Sequence, residues 1–169
     1  KSAEQDYKKF FGEMLGDIDE PTAPFGLIGL HGAKVQLDDA QLSLNDELVV
    51  RVRNTAKRLG VSVASLFHVA WARIISRASG SNDIVFGTVM SGRLKELSGD
   101  DAALGLYINT LPIRVGCTDT ALDNAVRQTH DLLIKLMAYE HVSPVAAQQC
   151  SGVQAPTPLF SALLNYYSI

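Results

Sequence analysis

The polar residues whose spacing could support chemistry lie between residues 83 and 115, where two apolar runs flank a polar segment. The stretch GTVMSGR (87–93) has the GxxxxG spacing of a phosphate-binding loop. Such a loop needs a lysine followed by serine or threonine, which hold the phosphates and Mg²⁺. Arg93 and Leu94 stand at those two positions, so the sequence does not predict a nucleotide site.

The candidate nucleophile and the candidate acid–base residues lack the usual partners. Ser91 is followed by glycine but has no GxSxG elbow, so a serine at a strand end or turn is the preferred interpretation. The histidines, at positions 31, 68, 130 and 141, form no HExxH pair, and no metal site is predicted. His68 lies beside an apolar helical stripe with no partner at helical spacing, which favours a packed or surface imidazole over a catalytic one.

Two strands must position the polar segment, because IVFGTVM and LGLYINTLPIRV are apolar runs rich in β-branched residues. The loop between them is long, and a long loop on a strand frame is commonly functional. Apolar periodicity predicts helices over residues 3–15, 45–59, 63–79 and 120–139, and a short helix that opens at Ser143-Pro144. Thr120 and Asp123 are predicted to form a capping box. Residues 33–44 give a weak strand pattern, and residues 159–167 predict a buried strand.

Composition limits the class of protein. The chain has 169 residues, of which 47% are hydrophobic, and this is enough to build a core for one mixed α/β domain. A net charge of −3 with scattered basic residues gives no electrostatic reason to expect nucleic acid. The apolar runs are too short to span a bilayer, so we expect no membrane partner and a cytoplasmic location. The two cysteines have no CxxC spacing, which predicts reduced thiols.

Four segments carry a resemblance to a known family. They are DIVFGTVMSGR (83–93), LGLYINTLPIRV (104–115), YEHVSPVAAQQ (139–149) and TPLFSALLNYYS (157–168). Their order and spacing resemble the condensation domains of nonribosomal peptide synthetases. PTAPFGL (21–27) and RASGSNDIVFG (77–87) are similar to the same family, so the resemblance covers almost the whole chain.

The resemblance implies a fold like that of chloramphenicol acetyltransferase, with helices packed on a small mixed β-sheet. In this family two lobes form a V around a tunnel. Donor and acceptor peptidyl carrier proteins insert their phosphopantetheine arms into the tunnel as substrates, and the acceptor amine attacks the donor thioester to form an amide. The resemblance implies no directly bound cofactor.

The family's catalytic HHxxxDG motif does not occur in this sequence. We therefore predict that residues 1–169 form a single partial domain, the C-terminal lobe without the N-terminal lobe and the last strands, which is inactive alone. An alternative is a noncatalytic module for carrier-protein docking or structure. The isolated lobe is also expected to self-associate through the surface that the N-terminal lobe covers.

Site residues follow from the resemblance, and no catalytic residue is predicted. The predicted substrate-tunnel residues are Asn109, Arg93, Ser91, Gly92 and Tyr107. Asn109 is interpreted either as a group near the reaction centre or as a satisfied strand amide. Arg93 is interpreted as a residue that orients the tunnel floor or meets a carrier phosphate, or, by preference, as one partner of a structural ion pair. The predicted structural residues are His141, Asn165 and Trp71. Trp71 is also expected to be the largest anchor of the helix-on-sheet core.

Overall fold

The computed structural model describes residues 2–29, 37–92, 107–118 and 121–167. Its five α-helices among these residues are α1 (Ser2–Leu15), α2 (Asp46–Leu59), α3 (Val63–Ser79), α4 (Leu122–Met137) and α5 (Pro144–Gln148). The strands are β1 (Asp83–Gly92), β2 (Tyr107–Gly116) and β3 (Leu163–Leu164). The mixture of helices and a small sheet confirms the predicted fold class.

Local capping signals set the ends of the two helices before the sheet. At the start of α2, the side chain of Asn45 accepts a hydrogen bond from the Leu48 N–H, and Gly60 ends the helix with a φ of 68°. At the start of α3, the side chain of Ser62 accepts from the Ser65 N–H, and Gly80 ends the helix with a φ of 72°. Glycine adopts this left-handed conformation without a steric penalty, which explains its place after each helix.

Three sequence predictions about secondary-structure elements need correction. The helix predicted to open at Thr120 begins at Leu122, with Ala121 at the N-cap and no side-chain cap; Thr120 itself lies outside the described residues. The buried strand predicted over residues 159–167 is reduced to Leu163–Leu164, and Leu163 is 54% exposed. Residues 33–36 are outside the described part, and residues 37–44 form no strand.

The sheet has the order β2-β1-β3, with β1 antiparallel to β2 and parallel to β3. Gly87 pairs with Leu163, and a Cβ atom at Gly87 would lie 2.6 Å from the Phe160 ring and 2.8 Å from Thr110. Glycine therefore allows the chain before β3 to lie directly against β1. The connector after α1 is fixed to the same strand, because Thr22 Oγ1 accepts a hydrogen bond from the Val85 N–H at 2.9 Å.

An ion-pair network ties the end of α1 to the sheet. The guanidinium of Arg114 on β2 contacts the carboxylates of Asp83 and Asp17 at 2.6 Å and donates to the Met14 carbonyl at 2.9 Å. Arg114 lowers the pKa of Asp17 below its ordinary value, chiefly through the hydrogen bond. A paired guanidinium of this kind fixes direction as well as distance, so the network sets where α1 meets the sheet.

The core lies between the sheet and the helices, and its largest fully buried side chains are phenylalanines. Phe11 of α1 and Phe86 of β1 are both fully buried. Trp71 packs against this core but is only partly buried, and its neighbour Ile74 is 58% exposed. The prediction that Trp71 is the largest anchor is therefore wrong. The buried face of α3 runs instead through His68, Ala72 and Ile75.

No single helix in the described residues is long and apolar enough to cross a bilayer. Helices α2 and α3 reach that length and hydropathy only as a pair bent by 106°.

Candidate substrate cleft

A cleft of about 340 Å³ lies where the start of α3, one face of α4 and the end of β1 meet. Most of its exposed surface is apolar, and Met90, Leu133 and Met137 contribute to it. Hydrogen-bonding side chains also line it: Ser62, His68, Thr88, Ser91, His130, Glu140 and Tyr166. An apolar concavity with a few placed polar groups is the usual form of a small-molecule site.

His68 is buried beside this cleft, with 3% of its surface exposed. Its Nδ1 lies 2.7 Å from the Ala64 carbonyl oxygen, and its Nε2 lies 2.8 Å from Thr88 Oγ1. A carbonyl only accepts, so Nδ1 carries the proton and the Thr88 hydroxyl donates to Nε2. Both ring nitrogens are therefore occupied within the chain, which confirms the packed-imidazole interpretation.

Burial lowers the pKa of His68 below its ordinary value, while the hydrogen bond with the Ala64 carbonyl opposes this shift. The neutral ring is thus favoured in the folded state. The contribution of neutral His68 to the stability of the fold is fully present above the pKa of the unfolded histidine, about 6.5. It is progressively lost as the pH falls toward the lower pKa of His68 in the folded chain.

We predict that the free energy of unfolding decreases between pH 7.5 and pH 5.5 less steeply in His68→Gln than in the wild-type chain. Glutamine can hydrogen-bond but does not titrate in this range, and one proton contributes a slope of at most about 1.4 kcal/mol per pH unit. Urea denaturation at the two pH values measures the difference. His141→Gln is the control because His141 is exposed, and it should keep the wild-type slope. Equal slopes in all three proteins would contradict the prediction.

A cluster of two serines and a histidine joins α3 to α4 beside the same cleft. The Nδ1 atom of His130 accepts a hydrogen bond from the Ser62 N–H at 3.2 Å and lies 3.1 Å from Ser65 Oγ. Ser65 Oγ is also 2.7 Å from Ser62 Oγ. The residue that caps α3 therefore also positions a side chain of α4, and this cluster was not found by sequence reasoning.

The predicted tunnel residues lie at or near the open end of the sheet. Ser91 is exposed and lines the cleft. Gly92 ends β1 and pairs with Tyr107, which begins β2. Arg93 is outside the described residues. The paired strand ends bring Ser91, Gly92 and Tyr107 to one end of the sheet.

Asn109 has a clear structural contact. It is 8% exposed, and its Nδ2 group donates to the carbonyl oxygens of Glu140 and Val142, both at 2.7 Å. Both N–H groups of the amide thus bind the turn that follows α4. This contact agrees with the satisfied-amide interpretation, and a role of Asn109 in the tunnel stays a prediction.

The predicted structural residues differ in their placement. His141 and Asn165 are exposed, and neither side chain makes a hydrogen bond within the described part of the chain. Trp71 is partly buried, and its Nε1 atom is buried without a partner among the described residues. That His141 and Asn165 hold the lobe together stays a prediction.

The described residues contain no group of three or more histidine, cysteine, aspartate or glutamate side chains that could hold a metal ion. Burial raises the pKa of both cysteine thiols, Cys117 and Cys150, above its ordinary value. A raised pKa disfavours the reactive thiolate at neutral pH.

The sequence matches a known protein family and several synthetases. Residues 28–168 match the family model described as "Condensation domain". Over 168 residues the chain is 52% identical to malpinin synthetase of Mortierella alpina, covering 97% of the chain and 2% of that protein. It is 45% identical over 163 residues to malpibaldin synthetase of the same organism, covering 96% of the chain and 3% of that protein. The chain thus spans a very small share of these relatives.

Solved structures show the same fold at lower identity. The cyclization-docking bidomain EpoB from Sorangium cellulosum matches with a TM-score of 0.71 and 15% identity, over 95% of this chain and 33% of that one. Holo-AB3403, a four-domain nonribosomal peptide synthetase bound to AMP and glycine, matches with a TM-score of 0.70 and 15% identity, over 96% of this chain and 13% of that one.

Proposed function

The chain belongs to the condensation-domain family, and we propose that it forms one wall of the site where two carrier-bound thioesters are joined by an amide bond. The observation that carries the proposal is the family match over residues 28–168, which includes the strands and the turn that build the cleft. The identity of 52% to malpinin synthetase over 97% of the chain supports it.

The nucleophile in this reaction is the acceptor amine, so the protein has mainly to position the two substrates. The acceptor amine attacks the carbonyl carbon of the donor thioester, the tetrahedral intermediate collapses, and the thiol leaves with a proton. Holding the two reactants in line accounts for a large part of such a rate enhancement, and a general acid or base moves the proton. An apolar cleft with a few hydrogen-bonding groups suits the positioning role.

We assign the proton transfer to a separate N-terminal lobe that carries the HHxxxDG motif, and residues 1–169 to the C-terminal lobe. Both nitrogens of His68 are occupied, one by the Ala64 carbonyl and one by Thr88. His130 lines the cleft, but its Nδ1 is held by the Ser62 N–H, and the sequence contains no HHxxxDG motif. This arrangement supports a positioning role for the chain.

The partner lobe would cover apolar surface around the cleft. Ile134 and Met137 of α4 line it and are 55% and 60% exposed. Ile108 of β2 pairs with Ser91, which lines the cleft, and is 65% exposed. Large apolar side chains grouped at a concave surface favour contact with another protein surface. The same surface is the one through which the lobe alone would self-associate.

The substrates in this proposal are aminoacyl or peptidyl groups on phosphopantetheine arms, delivered by a donor and an acceptor carrier protein. Ser91, Gly92, Arg93 and Tyr107 would lie along the tunnel, because Ser91 borders the cleft and the other three adjoin it in the chain or the sheet. Asn109 would support the tunnel by holding the turn after α4.

The test compares the chain alone with the chain joined to an N-terminal lobe that carries HHxxxDG. Each protein is mixed with loaded donor and acceptor carrier proteins, and the amide product is measured by mass spectrometry. We expect product from the joined protein and none from the chain alone, because one wall cannot align both arms.

Amide formed at the same rate by the chain alone would overturn the assignment of the lobe. Carrier binding by the joined protein with no amide product would overturn the enzymatic proposal and support the noncatalytic docking module.

A further inference from the structure

The imidazole of His130 is held by one nitrogen. Its Nδ1 accepts a hydrogen bond from the Ser62 backbone N–H at 3.2 Å. A ring nitrogen can accept a hydrogen bond only if it carries no proton. In the neutral ring of His130 the proton is therefore on Nε2. The contact between the two helices therefore fixes the tautomer of His130.

The Nε2–H group of His130 faces a different environment. The ring is partly exposed and lines the cleft, and Nε2 makes no hydrogen bond with any of the residues that the structure describes. Leu133 and Ile134, three and four positions further along α4, are on the same side of the helix and also line the cleft. An N–H donor without a partner in the described part of the chain is available to an acceptor on a ligand, and a partly desolvated cleft strengthens the bond between them.

His130 differs in this from the other imidazole at the cleft. His68 uses Nδ1 for the Ala64 carbonyl and Nε2 for the Thr88 hydroxyl. In both rings a backbone group binds Nδ1, but in His130 only Nδ1 makes a hydrogen bond within the part of the chain that the structure describes, with the Ser62 N–H. Of the two rings, only that of His130 has an N–H available to a bound molecule. A lone N–H donor selects an oxygen acceptor, such as a carbonyl, and rejects an ammonium group.

We propose that His130 is a positioning residue whose Nε2–H donates to a carbonyl oxygen of an acyl-pantetheine substrate in the cleft. The inference rests on the proposed function and names the substrate group that this part of the site recognises. Ser62 acts through it, because its backbone N–H holds the donor tautomer of a ring that lines the cleft. Either the acyl carbonyl or an amide carbonyl of the pantetheine arm has the required chemistry.

Two substitutions separate the functions of the two nitrogens. His130→Asn keeps a short side-chain acceptor near the position of Nδ1, for the Ser62 N–H, and removes the donor in the cleft. His130→Gln places an amide N–H near the position of Nε2 and removes the short-range acceptor. In the two-lobed protein, we expect His130→Asn to raise KM about tenfold, the effect of about one neutral hydrogen bond, with an unchanged melting temperature. We expect His130→Gln to keep KM within about twofold and to lower the melting temperature.

Nuclear magnetic resonance tests the inference without any catalytic activity. Long-range proton–nitrogen correlation of the chain, labelled at its histidine rings, identifies the tautomer of His130. The probe is an alanyl-pantetheine analogue in which nitrogen replaces the thioester sulfur, so that it binds without reacting. We expect the Nε2–H tautomer in the free chain and a shift of its Nε2 signal on addition of the probe. Pantetheine alone gives the second arm of the titration.

Each outcome decides one point. A shift with the alanyl probe only assigns the acyl carbonyl, and an equal shift with pantetheine alone assigns the carbonyl of the arm. A proton on Nδ1, or no shift with either compound, overturns the inference, as does an unchanged KM in His130→Asn. Absence of amide product from the wild-type two-lobed protein counts against the proposed function instead, and leaves the tautomer and the titration as separate results.

Discussion

Replacement of Phe86 by alanine is expected to lower the free energy of unfolding by about 3–5 kcal/mol, the usual cost of removing a buried aromatic ring. Phe86 is fully buried in β1, pairs with Ile113 of β2, and has its ring centroid 5.9 Å from that of His68. A domain typically has only about 5–15 kcal/mol of stability. The substitution should therefore remove a large share of it, as measured by urea denaturation followed by circular dichroism.

Ile74→Ala is the matched control for this prediction. Ile74 is a large aliphatic side chain of α3 but is 58% exposed, so its loss should change the free energy of unfolding by no more than about 0.5 kcal/mol. Phe86→Leu keeps most of the apolar volume and provides a measurable variant if Phe86→Ala does not fold. A loss in Ile74→Ala equal to that in either Phe86 variant would place the core elsewhere.

Replacement of Asn109 by alanine should give the second large effect, a loss of about 2–4 kcal/mol. The Asn109 amide donates to the Glu140 and Val142 carbonyls, both at 2.7 Å. A buried acceptor that loses its donor costs about 1–3 kcal/mol. The Val142 contact is buried but the Glu140 contact is only partly buried, so the expected loss is less than two full penalties. The turn after α4 is fixed to β2 by this side chain, so its loss should also lower the protection of the turn in hydrogen exchange.

Asn165→Ala provides the comparison, because Asn165 is an exposed asparagine of another family motif. It should leave the stability of the chain nearly unchanged. Asn109→Asp should be at least as harmful as Asn109→Ala, since a carboxylate has no N–H to donate and repels both carbonyls. If Asn109→Asp retained the wild-type stability, these hydrogen bonds could not be what holds the turn.

Several parts of the fold could be read from the sequence because they depend on neighbouring residues. The caps of α3 are an example: Ser62 and Gly80 flank the helix that the apolar period predicts over residues 63–79. The opening of α5 at Ser143-Pro144 is another. The two apolar runs form the predicted paired strands β1 and β2. Helix caps and the apolar pattern of a strand depend on residues a few positions apart, so they can be recognised in the sequence.

Contacts between distant residues were decided by the tertiary structure. His68 has no partner at helical spacing because its partner, Thr88, is on β1 and meets it only when α3 packs on the sheet. His130 meets Ser62, which is 68 positions away along the chain. A buried imidazole needs a hydrogen-bond partner, but the burial of these rings and their partners both depend on contacts that the sequence does not display.

Trp71 shows the same limit for packing, since the apolar stripe of α3 is wide and the sequence placed this ring near its centre. The sheet contacts the face that contains His68, Ala72 and Ile75, and this leaves Trp71 at the side. Residues 159–167 are apolar as a buried strand would be, yet only Leu163–Leu164 pair with β1. A sequence fixes which side chains prefer burial and which segments can extend. Which face is covered and which strand finds a partner depend on elements far away in the chain, because burial and sheet pairing are properties of surfaces brought together only by folding.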